Sequence, residues 1–230
     1  MPYTTSMTSR YALYEIDKLR DRFAPESGTP RGVRQSYNIS PAARVPVIVS
    51  RDGTAAIEQM IWGFIPSGAK DTNSIFRYKT YQARSEKILD THTYRTALRS
   101  KRCLIPANGW YEWKQSASGK KPFYIRPTAD GLFAFAGIYS EWTDPEGVTH
   151  GICAIVTIDS EAEDDMTPSR LPVIVDQTDE AVWLDPQVSD LSTLFQIIRP
   201  ADPGALVIIP VSDAINSTKT DTPDLIAKKR

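Results

Sequence analysis

Hydrophobic residues in this chain fall mostly into short strand-like runs, and a helical spacing appears in only a few segments. Apolar side chains recur at Ile16, Leu19 and Phe23 among charged residues, which predicts an early amphipathic helix over residues 14–23. Similar spacing predicts short helices over residues 94–99, 179–184 and 190–198. β-branched and aromatic runs bounded by Gly, Pro and Asp predict strands over residues 45–50, 56–62, 102–105, 123–126, 132–139, 151–157, 171–175 and 205–211.

Turn signals and the absence of linkers indicate how these elements are organised. Asp52-Gly53 between two strand patterns predicts a hairpin, and residues 116–121 form a polar hairpin tip. No internal repeat or low-complexity linker divides the sequence. We therefore predict one α+β domain, a strand-rich curled sheet or barrel with peripheral helices, over residues 8–227. Residues 1–7 form a leader that is either kept or removed, and residues 228–230 form a basic tail.

Composition narrows the class of protein. With 230 residues and 41% apolar residues the chain can bury a full core, but it has no apolar run of the roughly 20 residues that cross a bilayer. We expect a cytoplasmic monomer with no membrane association, no metal and no cofactor, because no secretory signal is visible and only two cysteines and two histidines occur. A thiol protease is disfavoured because Cys103 and Cys153 both lie in apolar runs without an evident base.

Charge is unevenly distributed although the formal net charge is only −1. Residues 77–102 carry eight basic residues against Glu86 and Asp90, whereas residues 141–165 carry eight acidic residues and no Lys or Arg. A basic tract beside aromatic residues is typical of a groove for a phosphate backbone, and a solvated helix face is the alternative.

Glu112 is the most informative single residue, because Trp110, Tyr111 and Trp113 surround it in sequence. A glutamate desolvated by aromatic rings has a raised pKa, which suits proton transfer near neutral pH. The alternative is an outward-facing glutamate on an alternating strand, with Trp110 and Glu112 on one face and Tyr111 and Trp113 on the other.

Several motifs, in order, resemble the SOS response-associated peptidase-like family, whose members process abasic sites in single-stranded DNA. They are Arg10-Tyr11-Ala12-Leu13, Tyr37-Asn38-Ile39-Ser40-Pro41, Trp62-Gly63-Phe64-Ile65-Pro66, Ala83-Arg84-Ser85-Glu86, residues 102–113, Arg170-Leu171-Pro172-Val173-Ile174, and residues 210–216. The resemblance implies DNA-repair proteins of the SOS response with DNA–protein crosslinking, lyase and autopeptidase activities. In the family an amino-terminal Cys closes a thiazolidine ring on the abasic sugar, assisted by an amide side chain, a glutamate and a histidine.

This sequence departs from that pattern at the reactive positions. Aligned on Arg10, the family's Cys falls on Thr8; its amide, which precedes Ala83-Arg84, falls on Gln82, and its glutamate is retained as Glu112. Aligned on Arg170-Leu171-Pro172, its histidine falls on Pro168, and a tryptophan usual shortly after the Trp-Gly turn is Gly68. A hydroxyl is a weaker nucleophile than a thiolate, and we expect the oxazolidine that it forms to be easily hydrolysed. We therefore expect a protein that senses or processes abasic sites, with crosslinking weakened or lost. If residues 1–7 are removed, the Thr8 amine can form a Schiff base; if they stay, the domain is a catalytically inactive interaction module.

The resemblance also implies which residues contact single-stranded DNA. Phosphate contacts are expected from Arg10, Arg84 and Arg170, for each of which a surface salt bridge is the alternative. Asn38 and Gln82 are expected to supply hydrogen bonds, and Pro41 and Ile65 to wedge against bases.

Overall fold

The computed structural model describes residues 9–24, 26, 28–117, 119–160 and 167–229. The strands are β1 (Tyr11–Leu13), β2 (Ser36–Ile39), β3 (Arg44–Arg51), β4 (Thr54–Trp62), β5 (Gln82–Arg84), β6 (Arg102–Ala107), β7 (Gly109–Ser116), β8 (Gly119–Pro127), β9 (Phe133–Thr143), β10 (Thr149–Asp159), β11 (Arg170–Pro172), β12 (Ile174–Val175) and β13 (Leu206–Pro210). The α-helices are α1 (Leu19–Phe23), α2 (Asn73–Tyr78), α3 (His92–Ser100), α4 (Glu180–Leu184) and α5 (Leu191–Ile197). Single 3-10 turns cover Ile16–Lys18, Ser85–Lys87, Pro203–Ala205, Asp213–Asn216 and Pro223–Ile226.

Five strands close into a small barrel. Strand β3 pairs with β4 and β6, β6 pairs with β9, β9 pairs with β10, and β10 returns to β4 through a parallel pairing. The short strands β5 and β11 add to the far part of β10, and β12 adds to β9. Closure leaves no free edge within the ring, which gives the strand-rich barrel that the sequence predicts.

A second sheet, in the order β13-β8-β7-β1-β2, packs on the barrel and separates two apolar clusters. Tyr11, Leu13 and Trp110 are fully buried in the main core, which also fills the barrel. Residues on the opposite face, including Ala12 and Tyr111, pack under the carboxy-terminal segment in a smaller cluster. The period of two along β1 and β7 therefore decides which core each residue enters.

The predicted strands and late helices agree with this architecture, and the β3–β4 hairpin turns as expected. Asp52 and Gly53 have φ values of 51° and 81°, the pair of left-handed residues that a two-residue hairpin of this kind requires. Helices α4 and α5 occur where helical spacing predicts them, with Asp190 capping the first turn of α5 through the backbone N–H of Thr193.

Two predicted elements differ for identifiable reasons. The early helix begins only after Glu15, because Asn108 Oδ1 accepts hydrogen bonds from the backbone N–H groups of Tyr14 (2.9 Å) and Glu15 (3.2 Å). The strand predicted over residues 171–175 is two strands, because Val173 crosses between β10 and β9, donating to Val156 O and accepting from Ala136 N. Strands β1, β2 and β5 and helix α2 were not predicted, since they are too short to show a period.

In the part of the chain that is described, no helix has both the length and the apolar character needed to span a bilayer.

Candidate nucleic-acid interface

Glu112 lies on β7 with only 4% of its surface exposed. Trp110, two residues earlier and on the same face, is fully buried in the main core, while Tyr111 packs into the smaller cluster. The alternation read from the sequence is therefore correct, but the outward orientation that it allowed is wrong. The face shared by Trp110 and Glu112 points towards the protein interior, because the second sheet covers the barrel with that face.

Tyr81 is the neighbour of Glu112 that sequence reasoning missed. Burial raises the pKa of the Tyr81 hydroxyl, and the negative charge of Glu112 raises it further, so the two groups share one electrostatic environment. Trp62 donates from Nε1 to Tyr81 O at 2.9 Å, and its ring meets the Tyr81 ring edge-on at 5.9 Å. Tyr81 directly precedes Gln82, which begins β5 and is 5% exposed. No local sequence signal links residues 81 and 112.

The start of the described chain runs beside Glu112. Strand β1 is antiparallel to β7, with Tyr11 opposite Trp110, and Tyr111 N donates to Arg10 O at 3.0 Å. Continuing this register brings Ser9 level with Glu112. Thr8 and residues 1–7 lie outside the described residues, so the contacts of the expected nucleophile are not part of this geometry.

Arg10 and Asn38 are joined directly. Arg10 Nη1 donates to Asn38 Oδ1 at 2.7 Å and to Ile215 O at 3.2 Å. Asn38 Nδ2 donates to Ser217 O at 2.9 Å and to Thr220 O at 2.7 Å, and the side chain is 7% exposed. Burial lowers the pKa of the Arg10 guanidinium. Asn38 therefore holds Arg10 against the carboxy-terminal segment. Its amide oxygen and its amide nitrogen are both engaged in these contacts.

Arg84 and Arg170 lie on the two strands that flank the end of β10. Arg84 is level with Thr157 on one side, and Arg170 is level with Asp159 on the other. Because two strand spacings of about 4.8 Å separate them across the sheet and two residues of about 3.3 Å separate them along β10, the two backbone positions are roughly 12 Å apart. The structure therefore brings together two arginines that are far apart in the sequence.

The two side chains differ in what they can bind. The Arg84 side chain is exposed and makes no hydrogen bond or ion pair with another described residue. The Arg170 side chain is only 2% exposed and donates to Asp159 Oδ1, to Glu86 Oε2 at 3.0 Å and to Thr157 Oγ1 at 3.3 Å. Its charge is compensated inside the chain, which is the ion-pair alternative, so the geometry disfavours Arg170 as a phosphate ligand.

Pro41 and Ile65, the two residues expected to wedge against bases, are both buried. Pro41 is buried in the turn after β2, where Ala42 N donates to Trp62 O at 2.9 Å. Ile65 is 5% exposed and borders an open hollow that Phe64, Tyr94 and Trp142 also line. Pro168, where the resemblance places a histidine, is half-buried just before β11.

The basic tract is only partly available to solvent. Arg102 is 3% exposed and donates to four backbone carbonyls, which belong to Leu98, Arg99, Trp183 and Asp185. The exposed members of the tract are Arg77, Lys79, Arg84, Lys87, Arg95 and Arg99.

The cysteines are reduced core residues. Cys103 and Cys153 are fully buried, and burial raises the pKa of both thiols, so the neutral form that does not react as a nucleophile is favoured. Within the described ranges, no group of three or more His, Cys, Asp or Glu side chains is placed to hold a metal ion.

Comparisons with known proteins agree with this architecture. The family model of SOS response associated peptidase (SRAP) matches residues 7–218. The abasic site processing protein YoqW of Bacillus subtilis is 34% identical over 223 residues, covering 96% of this chain and 99% of that protein. The abasic site processing protein HMCES of Gallus gallus is 31% identical over 244 residues, covering 91% of this chain and 71% of that protein. A crystal structure of a Bacteroides thetaiotaomicron protein has the same fold, with a TM-score of 0.79 at 24% identity over 98% of this chain and 99% of that one. The chain belongs to the SOS response associated peptidase family.

Proposed function

We propose that this protein binds single-stranded DNA and recognises abasic sites as part of the response to DNA damage, and that its covalent attachment to those sites is weak or absent. The observation that carries the proposal is the buried carboxylate of Glu112, 4% exposed, beside the strand that leads back to residue 8. The relatives named abasic site processing proteins support the choice of lesion.

The proposed reaction needs an amine, an aldehyde and a group that moves protons. An amino-terminal Thr8 would have an α-amine with a reference pKa near 8, which condenses with the aldehyde of the opened sugar and releases water to give a Schiff base. Glu112 would carry the protons of that condensation and of the following β-elimination, in which the 3′ phosphate leaves. Closure by the Thr8 hydroxyl would give an oxazolidine that reopens by hydrolysis, so the adduct is transient.

A binding module without covalent chemistry is the second candidate. It is favoured by Pro168, which stands where the family places its histidine and has no proton to exchange. It also follows if residues 1–7 remain attached in the cell, because Thr8 then has no free amine. Intact mass of the purified protein distinguishes a retained leader from a removed one.

Borohydride trapping tests the enzymatic proposal. The full chain and a chain that begins at Thr8 are incubated with an oligonucleotide whose uracil has been excised, and borohydride reduces any Schiff base to a stable adduct. We expect an adduct only with the chain that begins at Thr8, and a yield at least about tenfold lower with Glu112→Gln because a general acid–base contributes 10²–10⁴-fold. No adduct from either chain would leave only the binding module.

Salt-dependent binding tests the DNA groove separately. Replacing exposed Arg84 by Gln should weaken binding of undamaged single-stranded DNA and lower the slope of log affinity against log salt by about 0.7, the value for one phosphate contact. Arg20→Gln is the matched control, since Arg20 is 58% exposed on α1 and, among the described residues, forms an ion pair with Asp21 alone. Equal slopes for Arg84→Gln and Arg20→Gln would count against Arg84 as a phosphate contact.

A further inference from the structure

Helix α2 presents two aromatic rings to solvent. Phe76 is 54% exposed and Tyr78 is 61% exposed. The other large apolar side chains exposed in the described part of the chain lie singly elsewhere: Val148 in the β9–β10 connection, Val182 on α4 and Phe195 on α5. Phe76 and Tyr78 are two residues apart, about 200° around the helix axis, so the two rings stand on different sides of α2, and burial of the core explains neither of them.

Positive charges alternate with these rings. The order along the chain is Phe76-Arg77-Tyr78-Lys79, and both cations are exposed. Neither Arg77 nor Lys79 forms an ion pair with a described residue, and the nearest carboxylate before them, Asp71, accepts from Asn73 N and Nδ2 at 2.9 Å each. Rings flanked by unneutralised cations match the composition of a surface that stacks unpaired bases and contacts their phosphates. A surface for an apolar protein partner would place its charges at the rim.

The helix is held firmly although it is only six residues long. Ile75 is fully buried and packs on the bare Cα of Gly63, where a Cβ would overlap the Ile75 side chain. After the helix, Thr80 N donates to Ile75 O at 3.2 Å, and Phe64 N donates to Thr80 O at 3.1 Å. The rings therefore stand on a preorganised platform, which lowers the entropy cost of binding.

Lys79 and the adjoining hollow add to the same surface. Lys79 ends α2 with φ 53° and ψ 40°, a left-handed conformation that glycine adopts without strain, so the sequence retains a cation where the backbone favours glycine. A hollow of about 520 Å³ lies beside Arg77 and Tyr78 and is also bordered by Pro66, Gly68 and the acidic residue Asp71. This volume lies within the range of small-molecule sites, so the hollow has room for a nucleobase.

We propose that α2 is a stacking platform for unpaired bases of single-stranded DNA, with Phe76 and Tyr78 stacking on bases and Arg77 and Lys79 contacting phosphates. The platform rests on the proposed function and extends it to a surface separate from Glu112. Bases within a duplex are already stacked on one another, so the platform selects single strands.

Fluorescence anisotropy with a labelled oligothymidylate tests the platform. Removing either ring, in Phe76→Ala or Tyr78→Ala, should weaken binding about 5- to 150-fold, the range for loss of one base–aromatic contact, without changing the salt slope. Tyr78→Phe should bind like the wild type because its ring remains, whereas Arg77→Gln should lower the salt slope. Phe195→Ala is the matched control, since Phe195 is 36% exposed on α5 and borders neither the α2 hollow nor the one beside Ile65.

The outcomes separate this inference from the proposed function. If the wild type binds single strands and the Phe76→Ala, Tyr78→Ala double variant binds them equally well, the platform is wrong and the proposed function stands. If the double variant loses affinity for a blunt duplex of the same length as much as for the single strand, base stacking is wrong. A wild type that binds no single-stranded DNA overturns both. Because both rings are exposed, circular dichroism should show unchanged folding in every variant.

Discussion

Asn38 shows how one side chain fixes the position of another. Its amide oxygen accepts from Arg10, and its amide nitrogen donates to two carbonyls of the carboxy-terminal segment, at Ser217 and Thr220. These bonds span 28, 179 and 182 residues of sequence. Asn38 is therefore a positioning residue for Arg10, and direct hydrogen bonding to DNA from its amide would require these contacts to break.

Asn38→Asp should destabilise the fold by about 2–4 kcal/mol, because it removes both donors to buried carbonyls while keeping the acceptor for Arg10. The urea midpoint measures the loss, and the affinity for single-stranded DNA should fall because the new carboxylate neutralises the charge of Arg10. Asn38→Ala removes the acceptor as well and should be at least as unstable. A urea midpoint equal to that of the wild type for Asn38→Asp would contradict the positioning role.

At the scale of elements, Arg102 fastens two helices to the barrel. It lies on β6 and donates to Leu98 O and Arg99 O at the end of α3, both at 2.7 Å, to Trp183 O of α4 at 2.6 Å, and to Asp185 O. Each carbonyl is at or near the end of a helix, where the partial charge is negative and a cation is stabilising. Burial lowers the pKa of its guanidinium, which nevertheless stays charged.

Arg102→Lys should lower the free energy of unfolding by about 2–4 kcal/mol, because one ammonium group cannot donate to all four carbonyls that the planar guanidinium group satisfies. Chemical denaturation gives the value, and hydrogen exchange should show faster opening of α3 and α4 than of the barrel. Arg99→Lys, an exposed change on α3, should stay within about 0.5 kcal/mol of the wild type. Equal losses of stability in Arg102→Lys and Arg99→Lys would contradict the conclusion that Arg102 holds α3 and α4 to the barrel.

At the scale of the whole molecule, the core is rich in buried acidic groups that prefer their neutral forms. Burial raises the pKa of Tyr94 to about 12, and it also raises the pKa values of Tyr11, Tyr111, Tyr124 and the two cysteines. The unfolded chain ionises near the ordinary values, so above those values it loses protons that the folded protein keeps. Their contribution to stability is fully present below those values and is lost as the pH rises.

We therefore expect the free energy of unfolding to fall steeply through the alkaline range. Tyr94 alone should account for about 2–3 kcal/mol between pH 10 and 12, since its ordinary value is 10.0 and its folded value is about 12. Urea midpoints measured at neutral pH and up to pH about 12 test this, and Tyr94→Phe should show a shallower decline. A stability that does not change over that range would contradict the assignment.

The molecule also shows what sequence patterns can and cannot determine. Strand periods identified most of the barrel strands, and Asp52-Gly53 identified the turn between β3 and β4, because both signals act between residues close along the chain. The alternation of side chains along β7 placed Trp110 and Glu112 on the same face of the strand. That alternation is compatible with either an outward or an inward glutamate. The choice depends on which side of the sheet the barrel covers, and that is a long-range contact.

The sequence by itself determined the strand-rich α+β class and the position of Glu112 between aromatic residues, since both depend on neighbouring side chains. Only the tertiary structure decided that Arg170 is neutralised by Glu86 and Asp159 while Arg84 stays exposed, and that Arg102 holds helices rather than DNA. Arginines look alike in sequence because their solvation and partners are set by segments tens of residues away. Burial and ion pairing, which fix what a charge can bind, exist only once those segments have packed.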